Sequence, residues 1–258
     1  MDRRLALVTG ASSGLGAALA RDLAARGYNL ALTARSEAAM RQLAAEVSGA
    51  HGVSAAVYPA DLSAPGSAEA LVQELDTRGV TVDILVNNAA FGLTGPFVNH
   101  DAARLRAMLQ LNMISLSELT LSFGRRMARA GKGHILLVAS TAAYQPTPLM
   151  AAYGATKGFI LSLGEALHVE LAPSVTVTVL SPGLMETEFN TVTGFVPPPA
   201  AKRFLLPTER VAKVGLDAMF AGRPSVVPGG WNTVGVFANR LMSRHRAAKI
   251  YHQITQGH

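Results

Sequence analysis

Short apolar segments alternate with longer, alanine-rich segments along most of the chain, and this alternation restricts the fold more than any other feature. The short segments are apolar throughout rather than at every second position, which is typical of strands buried on both faces of a parallel sheet. Repeated strand–helix units of this kind wind into an open sheet with helices on both sides. Strands are predicted at 5–9, 30–34, 53–58, 82–86, 134–139, 175–180 and 225–227. Helices are predicted near 14–26, 37–48, 66–78, 101–129, 151–171 and 208–221.

The length of 258 residues suits one domain of this type. We therefore predict a single doubly wound parallel sheet, a three-layer α/β/α Rossmann fold, over residues 1–228. Within it, residues 184–207 form a long connection that is predicted to cover a substrate, since long loops in compact domains are usually functional or disordered. Residues 229–258 follow the last strand as a C-terminal tail, which is expected to pack on the domain or on a partner subunit.

Several classes of site are excluded or disfavoured by composition. The chain has no cysteine, so disulfides and thiolate metal sites are impossible. Its seven histidines show no metal-ligand spacing, and no metal is predicted. Neither a signal-peptide pattern nor an apolar run of about 18–20 residues is found, which favours a cytoplasmic protein.

The net charge of +6 is mostly dispersed, except for a cluster in the tail at Arg240, Arg244, Arg246 and Lys249. Nucleic-acid binding is not expected, because an anionic cofactor accounts for part of the excess as well as a polyanion would. Basic amphipathic helices can also lie on anionic membranes. Docking of the tail on protein is the more common outcome and is favoured here.

A glycine-rich turn connects the first strand to the first helix, with the sequence Thr-Gly-Ala-Ser-Ser-Gly-Leu-Gly over residues 9–16. Glycine permits a tight turn and lets a pyrophosphate approach the backbone, and the helix N-terminus offers N–H groups to the phosphates. Many glycine triplets are only tight turns, but the strand–turn–helix context favours dinucleotide binding.

The end of the second strand predicts which dinucleotide is bound. Enzymes that use NAD place an acid there to bind the ribose 2′-hydroxyl. This chain has Thr33-Ala34-Arg35 instead, with no acid before Glu37. An arginine can bind a 2′-phosphate, so NADP(H) is predicted, although Arg35 could also be a solvated residue at a helix start.

Tyr153 and Lys157 lie four residues apart in a predicted helix, which places both side chains on one face. A nearby ammonium group and a cationic nicotinamide ring would favour the phenolate and bring the tyrosine pKa closer to neutral pH. Ser140 ends a buried strand, where open parallel sheets bind their ligands. Taken singly, the pair could be a core-edge tyrosine beside a surface lysine, and the serine a cap.

Together these motifs resemble those of the short-chain dehydrogenase/reductase family in its single-domain form, over roughly residues 4–228. The matching segments are 9–16, Asp61-Leu62, Asn87-Asn88-Ala89-Ala90, the set Asn112, Ser140, Tyr153 and Lys157, and 182–187. Ala90 departs from the glycine that is usual in the family, which changes the local turn slightly.

The resemblance implies a role for each residue of the set. Tyr153 would protonate the substrate oxygen, Ser140 would orient the carbonyl, and Lys157 would hold the ribose and lower the tyrosine pKa. Asn112 would hold a water that links the lysine to solvent. Asp61 would accept from the adenine and Thr187 would contact the carboxamide, although these two could be a helix cap and a turn residue. The predicted cofactor contacts are Gly10, Ser12, Ser13, Gly14, Leu15, Gly16, Arg35, Asp61, Leu62, Asn88, Ala89, Tyr153, Lys157, Pro182, Gly183 and Thr187.

The predicted function is an NADPH-dependent oxidoreductase that interconverts a ketone or aldehyde and an alcohol, in a homodimer or homotetramer. A hydrophobic small-molecule substrate is expected, although each of the aromatic and apolar residues behind this expectation could equally be core. They are Phe91, Tyr144, Met150, Phe189, Phe195 and Val196. Two alternatives remain open: a reductase of 3-ketoacyl thioesters, and a non-catalytic NADP(H) sensor. An intact set of four polar residues argues against the sensor.

Overall fold

A seven-stranded, all-parallel sheet forms the centre of the protein, in a computed structural model that describes residues 4–185 and 205–256. The strands are β1 (Leu5–Thr9), β2 (Asn29–Thr33), β3 (Ala55–Val57), β4 (Ile84–Asn87), β5 (His134–Val138), β6 (Thr176–Leu180) and β7 (Ser225–Val226). The described helices are α1 (Gly14–Ala25), α2 (Glu37–His51), α3 (Ser67–Thr77), α4 (Ala102–Leu109), α5 (Leu116–Ala130), α6 (Ala151–Glu170), α7 (Thr208–Phe220), α8 (Gly230–Arg240) and α9 (Arg244–Gln256). The predicted doubly wound α/β fold is therefore confirmed.

The strand order is β3-β2-β1-β4-β5-β6-β7. The chain leaves β1 for β2 on one side and crosses back to place β4 on the other, so Val8 of β1 lies between Leu32 of β2 and Val86 of β4. The loops that follow β1 and β4 diverge at this point. A crevice opens there at the carboxyl ends of the strands, where sheets of this topology bind ligands.

The strands are apolar throughout because two separate cores cover the two faces of the sheet. Along β1, Ala6 and Val8 pack into one core and Leu7 into the other, and all three are fully buried. One core contains side chains of α1, α2 and α7, and the other contains side chains of α3, α5 and α6. Each fully buried leucine contributes roughly 1.5–3 kcal/mol.

The segment predicted as one helix over 101–129 is interrupted. Between α4 and α5, residues Gln110–Ser115 form a π-helical segment, with buried Asn112 inside it. Such segments are rare and are often found at functional sites.

The C-terminal tail folds back onto the domain through α8 and α9. Asn239 donates from Nδ2 to Oε1 of Gln145 over 2.6 Å, and Ala247 of α9 is 5% exposed. Among residues 4–185 and 205–256, no helix has the length and apolar character needed to cross a membrane.

Candidate active site

A cavity of about 550 Å³ occupies the crevice at the carboxyl ends of the strands. It extends from the turn after β1, past the ends of β2 and β3, to α6 and the segment that follows β6. Most of the predicted site residues line it: Gly10, Ser12, Ser13, Gly14, Leu15, Gly16, Arg35, Asp61, Leu62, Asn88, Ala89, Ser140, Tyr153, Lys157, Pro182 and Gly183. Thr187, Phe189, Phe195 and Val196 lie outside the described residues.

The glycine-rich turn needs glycine at defined positions. Gly10 and Gly14 have backbone φ angles of +66° and +52°, which residues other than glycine rarely adopt. A Cβ at Gly16 would lie 2.1 Å from the carbonyl oxygen of Gly10, so the turn and the start of α1 approach too closely for any other residue. The turn brings the first N–H groups of α1 to the cavity wall, a suitable place for an anionic group.

Thr9 and Asn88 fix this turn to the end of β4. The Thr9 Oγ1 accepts from the backbone N–H groups of Asn88 and Ala89 at 3.0 and 2.9 Å. The Asn88 Nδ2 donates to the carbonyl oxygens of Thr9 (3.0 Å) and Gly10 (3.3 Å). Asn88, predicted as a cofactor contact, lines the cavity. Its side-chain amide already donates the hydrogen bonds that hold the turn in place. Thr9 was not singled out from the sequence, since a strand-end threonine carries no local signal of this role.

Arg35 and Asp61 lie together at the end of the cavity formed by β2 and β3. The Asp61 carboxylate accepts from the Ser63 hydroxyl at 2.6 Å and from the Ser63 N–H at 3.0 Å. These hydrogen bonds, with a smaller effect of the Arg35 charge, lower the pKa of Asp61. The open possibility that Asp61 caps a helix is excluded, because Gly66 is the N-cap of α3. No acid follows β2 before Glu37.

Tyr153 and Lys157 are both buried on α6, at the opposite end of the cavity from Arg35. The Lys157 Nζ donates to the carbonyl oxygen of Val138, at the end of β5, over 2.8 Å and lies 5.7 Å from the centre of the Tyr153 ring. The nearby Ser140 hydroxyl accepts from the N–H of Ala142 at 3.1 Å. Helix α6 and strand β5 thus bring together the three side chains that the sequence predicted as neighbours.

Burial dominates the acid–base properties of this group. It lowers the pKa of Lys157 to about 7. It also raises the pKa of Tyr153 well above the ordinary value of a phenol, against the opposing effect of a hydrogen bond with Ser140. The sequence predicted that an ammonium group and a cationic nicotinamide ring together would lower the tyrosine pKa. For the protein by itself the pKa is raised, because removal of the phenol from water outweighs the hydrogen bond with Ser140.

Asn112 lies behind this group rather than on the cavity wall. Its Oδ1 accepts from the Phe91 N–H at 3.2 Å, and its Nδ2 donates to the Phe91 carbonyl oxygen at 2.9 Å and to the Thr156 Oγ1 at 3.1 Å. Thr156 in turn donates to the carbonyl oxygen of Tyr153 at 2.7 Å. The π-helical segment therefore fixes both the loop after β4 and the turn of α6 that holds Tyr153.

The part of the cavity beside Tyr153 is mainly apolar. Phe91 and Met150, two of the residues that were candidates for a substrate pocket, line it and pack with Tyr153 in one small core. Tyr144, a third candidate, donates its hydroxyl to the Ser181 Oγ at 3.5 Å instead. Tyr251 of α9 also lines this part, a contact that no sequence pattern indicated.

A parallel sheet with a glycine-rich turn at its switch point, and a buried tyrosine–lysine pair beside a half-buried serine in the same crevice, defines a dinucleotide-binding α/β protein. The model of the short chain dehydrogenase family matches residues 4–194, and the chain belongs to this family.

Relatives and solved structures agree with this assignment. The chain is 33% identical over 196 residues to the probable oxidoreductase EphD of Mycobacterium tuberculosis, which covers 75% of this chain and 33% of that protein. The chain thus spans about a third of the length of this curated relative. A short-chain dehydrogenase from Sphingobium yanoikuyae, solved with NADPH, is 29% identical with a TM-score of 0.81, covering 93% of this chain and 94% of that one. The bulky-bulky ketone specific alcohol dehydrogenase from Comamonas testosteroni is 28% identical with a TM-score of 0.78, covering 97% and 99%.

Proposed function

We propose that this chain is an NADP(H)-dependent oxidoreductase that interconverts a hydrophobic ketone and its secondary alcohol. The observation that carries the proposal is the position of Tyr153, Ser140 and Lys157 at one end of a cavity whose other end holds the glycine-rich turn and Arg35. The similarity to a dehydrogenase solved with NADPH and to an alcohol dehydrogenase specific for bulky ketones supports it.

The described residues fit a phosphorylated dinucleotide. The start of α1 offers backbone N–H groups for a pyrophosphate, and Arg35 offers a guanidinium for a 2′-phosphate. Asp61 lies beside Arg35 with a lowered pKa and is therefore ionised, ready to accept from an adenine amino group. When bound, the cofactor supplies the hydride, while the protein supplies position and electrostatics.

The proton is supplied by Tyr153. Because burial raises the pKa of its phenol, the hydroxyl is protonated at neutral pH and can donate to a substrate oxygen. The Ser140 hydroxyl lies close enough to share a hydrogen bond with Tyr153, so both hydroxyls can converge on one carbonyl oxygen. Lys157 fixes the end of β5 against α6 and would bind the ribose hydroxyls.

We further propose that the chain forms homo-oligomers. Helices α5 and α6 leave large apolar side chains in solvent, with Leu121 53% and Val169 75% exposed. Association through these helices would remove such side chains from water, which favours it. Sedimentation analysis of the purified protein would test this, and a monomer at micromolar concentration would contradict it.

The enzymatic proposal is tested by following the absorbance of reduced nicotinamide during incubation with NADPH and a panel of ketones. Tyr153→Phe should lower kcat by about 10²–10⁴-fold. The Kd for NADPH should stay within about threefold of the wild-type value, a change in binding free energy well below about 1.4 kcal/mol. Tyr28→Phe is the matched control, because Tyr28 stacks on Phe220 far from the crevice. Full activity in Tyr153→Phe would refute the proposed role of the phenol.

A further inference from the structure

The last described helix, α9, contributes a side chain to the catalytic end of the cavity. Tyr251 lines the same wall as Tyr153, and its hydroxyl donates to the Sδ of Met150 at 3.9 Å, across 101 residues of sequence. Met150 is 7% exposed and packs in one small core with Tyr153, Leu93 and Met108. Burial is the main cause of the raised pKa of Tyr153, and the electrostatic effect of the neighbouring Tyr251 phenol adds to it, as expected for two phenols in one pocket.

Packing of the tail determines the direction in which Tyr251 points. Ala247, one helical turn earlier, is 5% exposed, whereas Ile250 on the other face is 45% exposed. Residues four apart share a face of a helix, so Ala247 and Tyr251 together form the inward face of α9. The hydrogen bond between Asn239 and Gln145 holds the preceding helix on the domain, next to the same cavity.

The surroundings of Tyr251 determine what it can do there. Met150, which contacts Tyr251, and Phe91, which packs in the same small core as Met150, offer mainly apolar surface there. An aromatic ring inserted among them forms a rigid apolar wall with a large surface for contact with a substrate. Because the ring has few rotatable bonds, little side-chain entropy is lost when a substrate binds against it. The wall stands beside the phenol that would donate the proton, and therefore beside any group attached to the reacting carbonyl.

We infer that Tyr251 is a specificity-determining residue, whose ring limits the size of the carbonyl substituent that fits next to Tyr153. This inference rests on the proposed reductase function and adds the substrate class: ketones whose substituent next to Tyr153 is apolar and limited in size. The tail is then part of the active site. The hydride and proton transfers themselves do not require Tyr251.

The test compares kcat/KM for acetophenone with kcat/KM for the bulkier benzophenone, using NADPH and the full chain. Tyr251→Ala should raise the benzophenone-to-acetophenone ratio by about tenfold, because a change of size in an apolar pocket alters discrimination by about 10–200-fold. Tyr251→Trp should lower the same ratio, and Tyr251→Phe should keep it within about twofold, since the ring is retained.

Ile250→Ala is the matched control, because it shortens an exposed side chain of the same helix and should leave the ratio unchanged. The Kd for NADPH, measured in each variant, reports whether the cofactor crevice is intact. Equal ratios in wild type, Tyr251→Ala and Tyr251→Trp would overturn the inference. Reduction of acetophenone by the wild type would in that case still support the proposed function. Absence of reduction of any ketone by the wild type would instead overturn the proposed function.

Discussion

Lys157 donates a hydrogen bond from its Nζ to the carbonyl oxygen of Val138 over 2.8 Å, in a fully buried setting between α6 and β5. A neutral amine can also donate such a bond, although more weakly than an ammonium group. Burial favours the neutral form and lowers the pKa of the lysine to about 7. The stability of the fold should therefore depend on pH through this residue.

The first prediction concerns that dependence. An unfolded lysine titrates near 10.4, so between about pH 7 and this value the unfolded chain holds a proton that the folded chain has released. Raising pH through this window should increase the free energy of unfolding, by at most about 1.4 kcal/mol per pH unit. Lys157→Met should lose this slope. Urea denaturation of both proteins without cofactor, from about pH 7.5 to about pH 9.5, measures it. Parallel curves for the two proteins would contradict the lowered pKa.

The second prediction concerns the direction of the reaction. Because burial raises the pKa of Tyr153, the phenolate that accepts a proton from an alcohol is scarce at neutral pH. We expect kcat/KM for alcohol oxidation to rise with pH by up to about tenfold per unit below that pKa, as for a single required base. Reduction, which needs the protonated phenol, should show no such rise. Steady-state rates in both directions measure this, and an oxidation rate that is flat in alkaline buffer would contradict it.

The sequence predicted the sheet and much of the crevice because these depend on local patterns. Apolar runs fixed the strands, and the ends of β1 and β5 placed the glycine-rich turn and Ser140 on one edge. The π-helical segment around Asn112 was not predicted, since its residues continue a helical pattern. Tyr251 was not predicted either, because its place in the cavity depends on the path of the tail across the domain. The raised pKa of Tyr153 in the protein by itself was not predicted, because the depth of burial cannot be obtained from spacing.

The third prediction concerns the choice of cofactor. Arg35 lies at the cavity wall beside the lowered-pKa carboxylate of Asp61. Arg35→Asp removes a guanidinium and adds a negative charge that repels a 2′-phosphate. The ratio of kcat/KM for NADPH to kcat/KM for NADH should therefore fall by about 10–100-fold, the effect expected from the loss of one or two hydrogen bonds to a charged group.

Arg41→Asp is the matched control for this substitution. Arg41 is an exposed residue of α2 that pairs with Glu37 and does not line the cavity. The same charge change there should leave cofactor preference unaltered. An equal shift in both variants would show that net charge, rather than contact at Arg35, sets the preference.

The fourth prediction concerns Thr9, whose Oγ1 accepts from the N–H groups of Asn88 and Ala89 while donating to the Val86 carbonyl oxygen. Thr9→Val keeps the shape but leaves two partly buried N–H groups without their acceptor, at a cost of at most about 1–3 kcal/mol for each such group. We expect a lower urea midpoint with an unchanged m-value, and a weaker affinity for NADPH because the glycine-rich turn loses its attachment to β4. Thr77→Val is the control, since Thr77 bonds only within α3 on an exposed face. If Thr9→Val destabilised the fold while the Kd for NADPH stayed at the wild-type value, the hydrogen bonds of Thr9 would be important for stability alone, and the turn would be held for cofactor binding by the amide of Asn88.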